Sequence, residues 1–259
     1  MNNNIFIRVK NRIIRLIQFL NFKLKNPGVK IINPNKIGTY YSQDGQDFYL
    51  SSLLFNYIEN NPNPWMVDVG CNHPKNFSNS LFFEKWMGFK VLAIDPLDSF
   101  FEAWSSGRPS AIFECGAISS TLSSVKLRIP KGGAPENMFS TIEGGISKLQ
   151  DLEFDEREVR CFKLSALFNK HQIKDVLIMS IDVEGVELDV LRSIHFEAVS
   201  IKCILVENNS TNPYGSSNIR TFLRSKNFIF HARIGFLDDI YIHQTMFNGF
   251  DFNMINHCL

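Results

Sequence analysis

The stretch that most restricts the fold is Trp65-Met-Val-Asp-Val-Gly-Cys-Asn-His-Pro74, followed by Val91-Leu-Ala-Ile-Asp-Pro96. Met66, Val67 and Val69 form an apolar run interrupted and ended by Asp68, Gly70 and Asn72. That is the pattern of a buried parallel strand whose carboxyl end opens into a polar loop. Residues 78–87 then carry helical spacing closed by Gly88, and residues 90–94 are a second apolar run with Asp95 at its tip. Strand, glycine turn, helix, strand, acid is the nucleoside-binding half of a doubly wound sheet, in which the acid accepts hydrogen bonds from ribose hydroxyls.

Further apolar runs extend the pattern. Residues 111–115 predict a third strand ending at Gly116 and Ala117, and 125–129 an additional one. Residues 176–181 predict a fourth parallel strand running into Asp182-Val-Glu-Gly-Val-Glu187, and 201–206 a fifth ending in Glu207. Residues 228–232 and 240–244 complete a mixed sheet. Helical spacing recurs at 48–58, 99–104, 165–170, after Val186 and at 218–226. The fold class is therefore α/β, a seven-stranded mixed sheet with helices on both faces and an N-terminal helical extension. Asp44 or Asp47 reads as the cap of the helix at 48, and Ser165 as the cap of the one after it. Residues 131–145, with four glycines and a proline, predict a long loop of the kind that serves as a lid, and 151–158 an acidic solvated stretch.

The net charge of +1 gives no case for nucleic acid as a partner, but the charge is unevenly spread. The first 36 residues hold eight Lys or Arg and no acid, leaving 19 basic against 26 acidic residues in the rest. Residues 1–40 thus read as a basic helical arm and linker, and 41–259 as the functional domain. Phe6, Val9, Ile13, Leu16, Ile17, Leu20 and Leu24 share a helical face opposite Arg8, Arg12 and Arg15. This arm either packs on the body or on a second copy in a homo-oligomer, or lies through residues 5–25 on an anionic membrane surface. Five scattered cysteines with no C-x-x-C pair read as reduced thiols rather than disulfides or a zinc site. No run reaches the ~20 apolar residues of a membrane span, and no leader cleavage site follows the apolar N-terminus. The expected location is cytoplasmic, with contact to the inner face of the membrane as the alternative.

Ligands of such sheets bind at the carboxyl ends of the strands. Here those ends carry Asp68 and Asn72, Asp95, Gly116, Asp182 and Glu184, and Glu207. Acids on four strands around one crevice point to a nucleoside-bearing ligand. The loop holds one glycine, Gly70, where a dinucleotide loop needs a second to let pyrophosphate approach the backbone. That argues against an NAD-type Rossmann oxidoreductase and for a nucleoside cofactor without phosphates. S-adenosylmethionine fits, with its ribose on Asp95 and its amino-acid tail on the Gly70 loop.

Ser42-Gln-Asp-Gly-Gln-Asp47, Val67-Asp-Val-Gly-Cys-Asn-His-Pro74, Phe77-Ser-Asn79, Ile94-Asp-Pro96, Ile181-Asp-Val-Glu-Gly-Val-Glu187 and Val206-Glu-Asn208 together resemble the FkbM-family S-adenosylmethionine-dependent methyltransferases. The resemblance spans about residues 40–245. It implies the class I methyltransferase (Rossmann-like) fold and O-methylation of a sugar, a glycan precursor or another hydroxylated natural product. Gly70 and Asp95 carry over as cofactor contacts, with Asp68 at the loop's base and Ala117 near the adenine; Asn72, Pro96, Gln46 and Asp182 complete the expected set. Cys71 stands where the family more often has alanine.

Removing the acceptor's proton needs a base. Asp182 and Glu184 are the candidates for base and hydroxyl anchor, or else Asp182 only bonds the cofactor's amino group or caps a helix. His73 titrates in a suitable range but precedes Pro74, which fits a structural turn equally well. Glu187 reads as a first-turn helix acid, and Glu207 as either substrate-facing or a plain strand end. Gln46, with Gln43 and Asp47, either folds over the cofactor's methionine end or caps its helix. A divalent metal on Asp182, Glu207 and a water is compatible with carboxylate chemistry, but no compact ligand motif assigns one. His195, His231, His243 and the aromatic tail from Phe247 read as packing. A third reading, outside enzymes, is a non-catalytic membrane-surface adaptor that keeps the fold.

Overall fold

The structure, a computed structural model, describes residues 40–131, 140–142, 153–209, 217–235 and 237–249. The helix expected at 5–24, most of the 131–145 loop and the tail beyond 249 lie outside these residues.

In chain order the first elements are α1 (Gln46–Leu53), α2 (Phe55–Glu59), β1 (Trp65–Val69), α3 (Leu81–Met87), β2 (Lys90–Asp95), α4 (Phe101–Gly107), β3 (Ile112–Cys115), β4 (Ala117–Ile118), β5 (Ser124–Pro130) and β6 (Thr141–Ile142). Then come β7 (Phe154–Phe162), α5 (Leu164–Lys170), β8 (Asp175–Ile181), α6 (Glu187–Arg192), β9 (Ser200–Glu207), α7 (Asn218–Ser225), β10 (Phe228–Ile234) and β11 (Asp238–His243). The main sheet has seven strands in the order β10-β11-β9-β8-β1-β2-β3. Pairing is parallel from β3 to β9, and β11 is antiparallel to both β9 and β10. The expected seven-stranded mixed sheet of the class I methyltransferase fold is the one observed.

Strand periodicity sorts the core into two layers, because successive side chains point to opposite faces. Val67, Val69, Leu92 and Ile94 pack with Leu164 and Leu167 of α5, Val190 and Leu191 of α6, and Leu223 of α7. Met66, Val91 and Ala93, one register over, pack with Leu50 and Leu53 of α1, Phe82 and Phe83 of α3, and Trp104 of α4. Helices therefore cover both faces, and the central strands are buried on both sides, as near-continuous apolar runs require.

The additional strand expected at 125–129 belongs to a second sheet ordered β4-β7-β5-β6. Two expectations change. Val159 to Leu164 reads as strand-like in the sequence and supplies the end of β7, but residues 154–158 of the acidic stretch expected to be solvated begin the same strand, which runs antiparallel to β5 from Ser124↔Arg160 to Pro130↔Phe154. Its charges are cross-strand partners: Glu156 faces both Lys126 and Arg128, and Ser124 Oγ donates to Glu158. The expected helix caps also differ. Gly45, not an acid, precedes α1, and the buried Asp47 carboxylate accepts from Phe48 N (2.8 Å) within the helix as well as from Tyr41 N (2.6 Å) and the Ser42 amide and hydroxyl before it. Lys163 precedes α5, where Ser193 Oγ rather than Ser165 meets the Leu164 amide.

One buried knot ties the β9–β11 end together. Asp239, fully buried, accepts from Arg233 Nε (2.6 Å), Asn208 Nδ2 (2.8 Å), Arg220 Nη2 (3.1 Å) and the Tyr241 hydroxyl (3.1 Å). Removing the carboxylate takes away the shared counter-charge of two buried arginines. Asp239→Ala is expected to cost about 3–5 kcal/mol, read as a lower urea midpoint; a loss under ~1 kcal/mol would show the knot to be energetically idle.

Candidate active site

The chain runs β1, β2, β3 outward on one side and β8, β9 outward on the other, so the sheet's switch point lies between β1 and β8. A crevice forms there because the loops leaving two adjacent strands turn opposite ways. The two loops touch. Gly70 has φ +79°, and a Cβ at that position would sit 1.7 Å from the Asp182 carbonyl oxygen. Asp182 N donates to Val69 O (3.0 Å), Gly70 N to Ile94 O (2.9 Å) and Gly116 N to Asp95 O (3.0 Å). Gly116 is equally forced: a Cβ there would lie 2.5 Å from the Phe162 ring of the second sheet.

Above these ends lies a cleft of about 310 Å³, at the small end of the ~300–1,000 Å³ typical of small-molecule sites. Strand order arranges its walls like a ruler, with ~4.8 Å between neighbouring strands. Gly116 and Ala117 follow β3, Asp95 and Pro96 tip β2, and Asp68, Gly70 and Asn72 follow or end β1; beyond them come Asp182 and Glu184, then Glu207, then Asp238 of β11. Asp238 pairs in register with Glu207, since an antiparallel strand begins where its parallel neighbours finish. Leu97, Leu127 and Ile129 form a small apolar cluster that packs the second sheet beside the Asp95 end.

Every residue expected to bind a cofactor lines this cleft: Gln46, Asp68, Gly70, Asn72, Asp95, Pro96, Ala117 and Asp182. Asp95 Oδ2 accepts from Asn72 N (2.8 Å) and Oδ1 from Leu97 N (2.9 Å), leaving each oxygen a lone pair for a ligand. Burial pushes its pKa up to about 6 against those two bonds. Burial also raises Asp68, whose Oδ2 has no hydrogen-bond partner among the described residues. Gln46 is doubly held: its Oε1 accepts from Asp44 N (2.8 Å) and its Nε2 donates to Asp238 Oδ2 (2.7 Å).

Of the expected catalytic residues, the structure brings Asp182 and Glu184 into the cleft and leaves His73 out of its lining. His73 Nδ1 accepts from the amides of Lys75 and Asn76, both at 3.1 Å, and partial burial followed by the Lys75 charge lowers its pKa. These bonds place His73 Nδ1 in a turn outside the cleft lining, the structural one of the two roles its sequence position suggests. Asp182, Glu184 and Glu207 each present a carboxylate oxygen, all within 4.8 Å of one another. Hard oxygen donors at that spacing suit a cationic ligand or a divalent ion alike. Glu187 begins α6 as expected, but its buried carboxylate also accepts from Gly185 N (2.7 Å), closing the 183–186 turn.

The loop after β1 is held from behind. Buried Arg108 donates to Pro74 O (3.3 Å), Ser78 Oγ (3.1 Å) and Ser80 Oγ (3.0 Å), and pairs with Glu84. Trp104 Nε1 donates to Asn72 O (2.8 Å). Among the lining groups to which sequence reading gave no part in the site are Asp44, Asn76, Phe77 and Asp238. In total Asp44, Asp68, Asp95, Asp182, Glu184, Glu207 and Asp238 line the cleft, and among the described residues no Lys, Arg or His does. The carboxylates fit a positively charged nucleoside, and among the described residues the lining holds no cation for a pyrophosphate.

The chain matches the methyltransferase FkbM domain family over residues 68–230. No curated protein sequence matches it. Among solved structures, a Plasmodium falciparum chain described as a candidate ribosomal RNA methyltransferase aligns at 16% identity with a TM-score of 0.39, covering 78% of this chain and 97% of its own.

Asp238 gives a test of the cleft's charge. Burial raises its pKa to about 6, with Glu207 and Asp44 adding to the rise. Between the ordinary carboxylate range and about 6 the folded chain binds a proton that the unfolded chain has released, so this group's contribution to stability falls as pH rises through that window. Asp238→Asn keeps an acceptor for Gln46 and removes the penalty. The variant is expected to melt above wild type at pH 7.5, by on the order of 1–3 kcal/mol, and the gap should close by pH 4.5. A gap independent of pH would mean that Asp238 ionises freely.

Proposed function

The chain belongs to the FkbM methyltransferase family, and on that premise we propose that it transfers the methyl group of S-adenosylmethionine to a hydroxyl of a sugar, a glycan precursor or a similar natural product. The observation that carries this reading is the cleft lined by acids on both sides of the β1/β8 switch point, with no cationic group among its described lining residues. A cationic nucleoside is favoured there and a pyrophosphate is not, which speaks against the NAD-type alternative.

Asp95 would hold the ribose hydroxyls through the lone pairs its backbone bonds leave over, with Pro96 and Ala117 beside the base. Asp68 and the Gly70 loop would take the amino-acid end, where the orphaned Asp68 Oδ2 suits an ammonium donor. The cofactor, when bound, supplies an electrophilic methyl group that needs no further activation. The protein's remaining tasks are to hold the acceptor oxygen in line and to take its proton. Asp182 and Glu184, on the loop beyond β8, serve as base and hydroxyl anchor, and Glu207 closes the same group of carboxylates. The four described cysteines are free, which supports a reducing, cytoplasmic setting. Among the described residues no helix is long and apolar enough to cross a membrane.

Calorimetry tests the cofactor. S-adenosylmethionine is expected to bind, and Asp95→Ala to weaken it by about 1–3 kcal/mol, the loss of charge-assisted hydrogen bonds. Affinity unchanged in the variant, or binding of NAD in place of S-adenosylmethionine, overturns the reading. A second measurement concerns the base: Asp182→Asn is expected to retain the wild-type melting temperature and cofactor affinity while turnover falls ~10²-fold or more. Wild-type turnover would exclude Asp182.

A further inference from the structure

Phe77 is a large apolar side chain that the fold leaves 53% exposed, and it lines the cleft. Its backbone lies at φ +57°, a conformation that is an outlier for a bulky residue and needs surrounding structure to hold it. That structure is present. Phe77 forms a main-chain bridge with Ser42. Ser42 is fixed in turn by the buried Asp47 carboxylate, which takes both its amide and its hydroxyl. Four residues on, Gln46 reaches Asp238 of β11 at 2.7 Å. Residues 42–46 therefore run as a strap from Phe77 to the β11 end of the cleft, away from Asp95 and Ala117.

An exposed ring on a fixed backbone has no role in the core, and the strap that anchors it leads to Asp238 of β11, not to Asp95 and Ala117. The cleft-lining groups next to it in sequence, Asn76 and, across the bridge, Gln43, are neutral amides that can hydrogen-bond hydroxyls. Beyond them every charged lining group among the described residues is an acid. Among the described residues a carboxylate or phosphate on the acceptor would meet like charge and no lining cation, which is how a site rejects a wrong partner. The C–H face of a neutral pyranose, by contrast, carries slight positive charge that suits the negative face of an aromatic ring.

We infer that Phe77 is the platform on which the acceptor stacks, and that the cleft selects acceptors without anionic groups. This rests on the reading of the site given under Proposed function. The test uses the full chain and two probe sets with S-adenosylmethionine: neutral methyl glycosides (gluco, manno, galacto, rhamno and fuco) and anionic sugars (glucuronic acid, glucose 6-phosphate, UDP-glucose). The readout is formation of S-adenosylhomocysteine. Turnover is expected within the neutral set and not the anionic one. Phe77→Ala should raise the acceptor KM about tenfold with kcat and the calorimetric affinity for S-adenosylmethionine little changed, and Phe77→Tyr should restore it. A KM unmoved in Phe77→Ala, equal loss of cofactor affinity, or turnover confined to anionic sugars or to neither set overturns the inference while leaving the methyl donor in place. Failure of wild type to bind S-adenosylmethionine would instead remove the parent reading.

Discussion

The contact on which the site depends is the approach of the Gly70 loop to the Asp182 carbonyl. A Cβ there would come within 1.7 Å of that oxygen, so only glycine lets the two loops close. The Asp182 amide, bonded to Val69 O, fixes the loops from the other side. Because β1 and β8 are neighbours at the switch point, this one contact joins the half-sheet that ends in Asp95 to the half that ends in Glu207 and Asp238. Separate them, and the acids become unrelated strand ends. Joined, they face one volume.

That convergence is costly to the fold. Burial raises Asp68, Asp95 and Asp238 above the ordinary carboxylate range, and Asp95 and Asp238 each feel another acid of the same cleft. The fold compensates with polar anchors that stand behind the cleft rather than in it. Asp239 gathers two arginines under β11, and Arg108 gathers Pro74, Ser78, Ser80 and Glu84 under the loop after β1. Both place cations out of the lining, so the walls stay anionic while the scaffold beneath them is neutralised. Function and stability are thus assigned to different layers of the same strand ends.

Much of this was readable from sequence because it depends on local rules. Apolar runs ending in an acid or glycine gave the parallel strands, and the single glycine after β1 gave the preference against a pyrophosphate. The parts that were not readable depend on pairing. Asp238 stands at the start of a strand, where a parallel reading puts it at the wrong edge; only the antiparallel register with Glu207 carries it to the cleft. Residues 154–158 look solvated until β5 supplies cross-strand partners for Glu156 and Glu158. Asp47 looks like a helix cap and does meet the Phe48 amide, yet its carboxylate also folds back to Tyr41 and Ser42, a choice that propensity does not encode. His73 has the right chemistry for a base, but two amides of its own turn claim the nitrogen.

The distribution of backbone strain carries the argument one step further. Among the described residues, non-glycine positions with positive φ are Asn72, Phe77, Gln172, Glu184 and Asn227, and the first, second and fourth line the cleft. Each belongs to a different part of the ruler: Asn72 bonds Asp95, Phe77 meets the strap, and Glu184 stands in the acid group beyond β8. Asparagine enters the left-handed region readily, but at Phe77 and Glu184 it costs of order 1 kcal/mol or more apiece and survives only where surrounding contacts over-determine it. Here the over-determining contacts are identifiable: Trp104 and Asp95 on either side of Asn72, and Ser42 against Phe77. The strained positions and their restraints thus coincide with the cleft, and the fold's own contacts fix the shape of its walls.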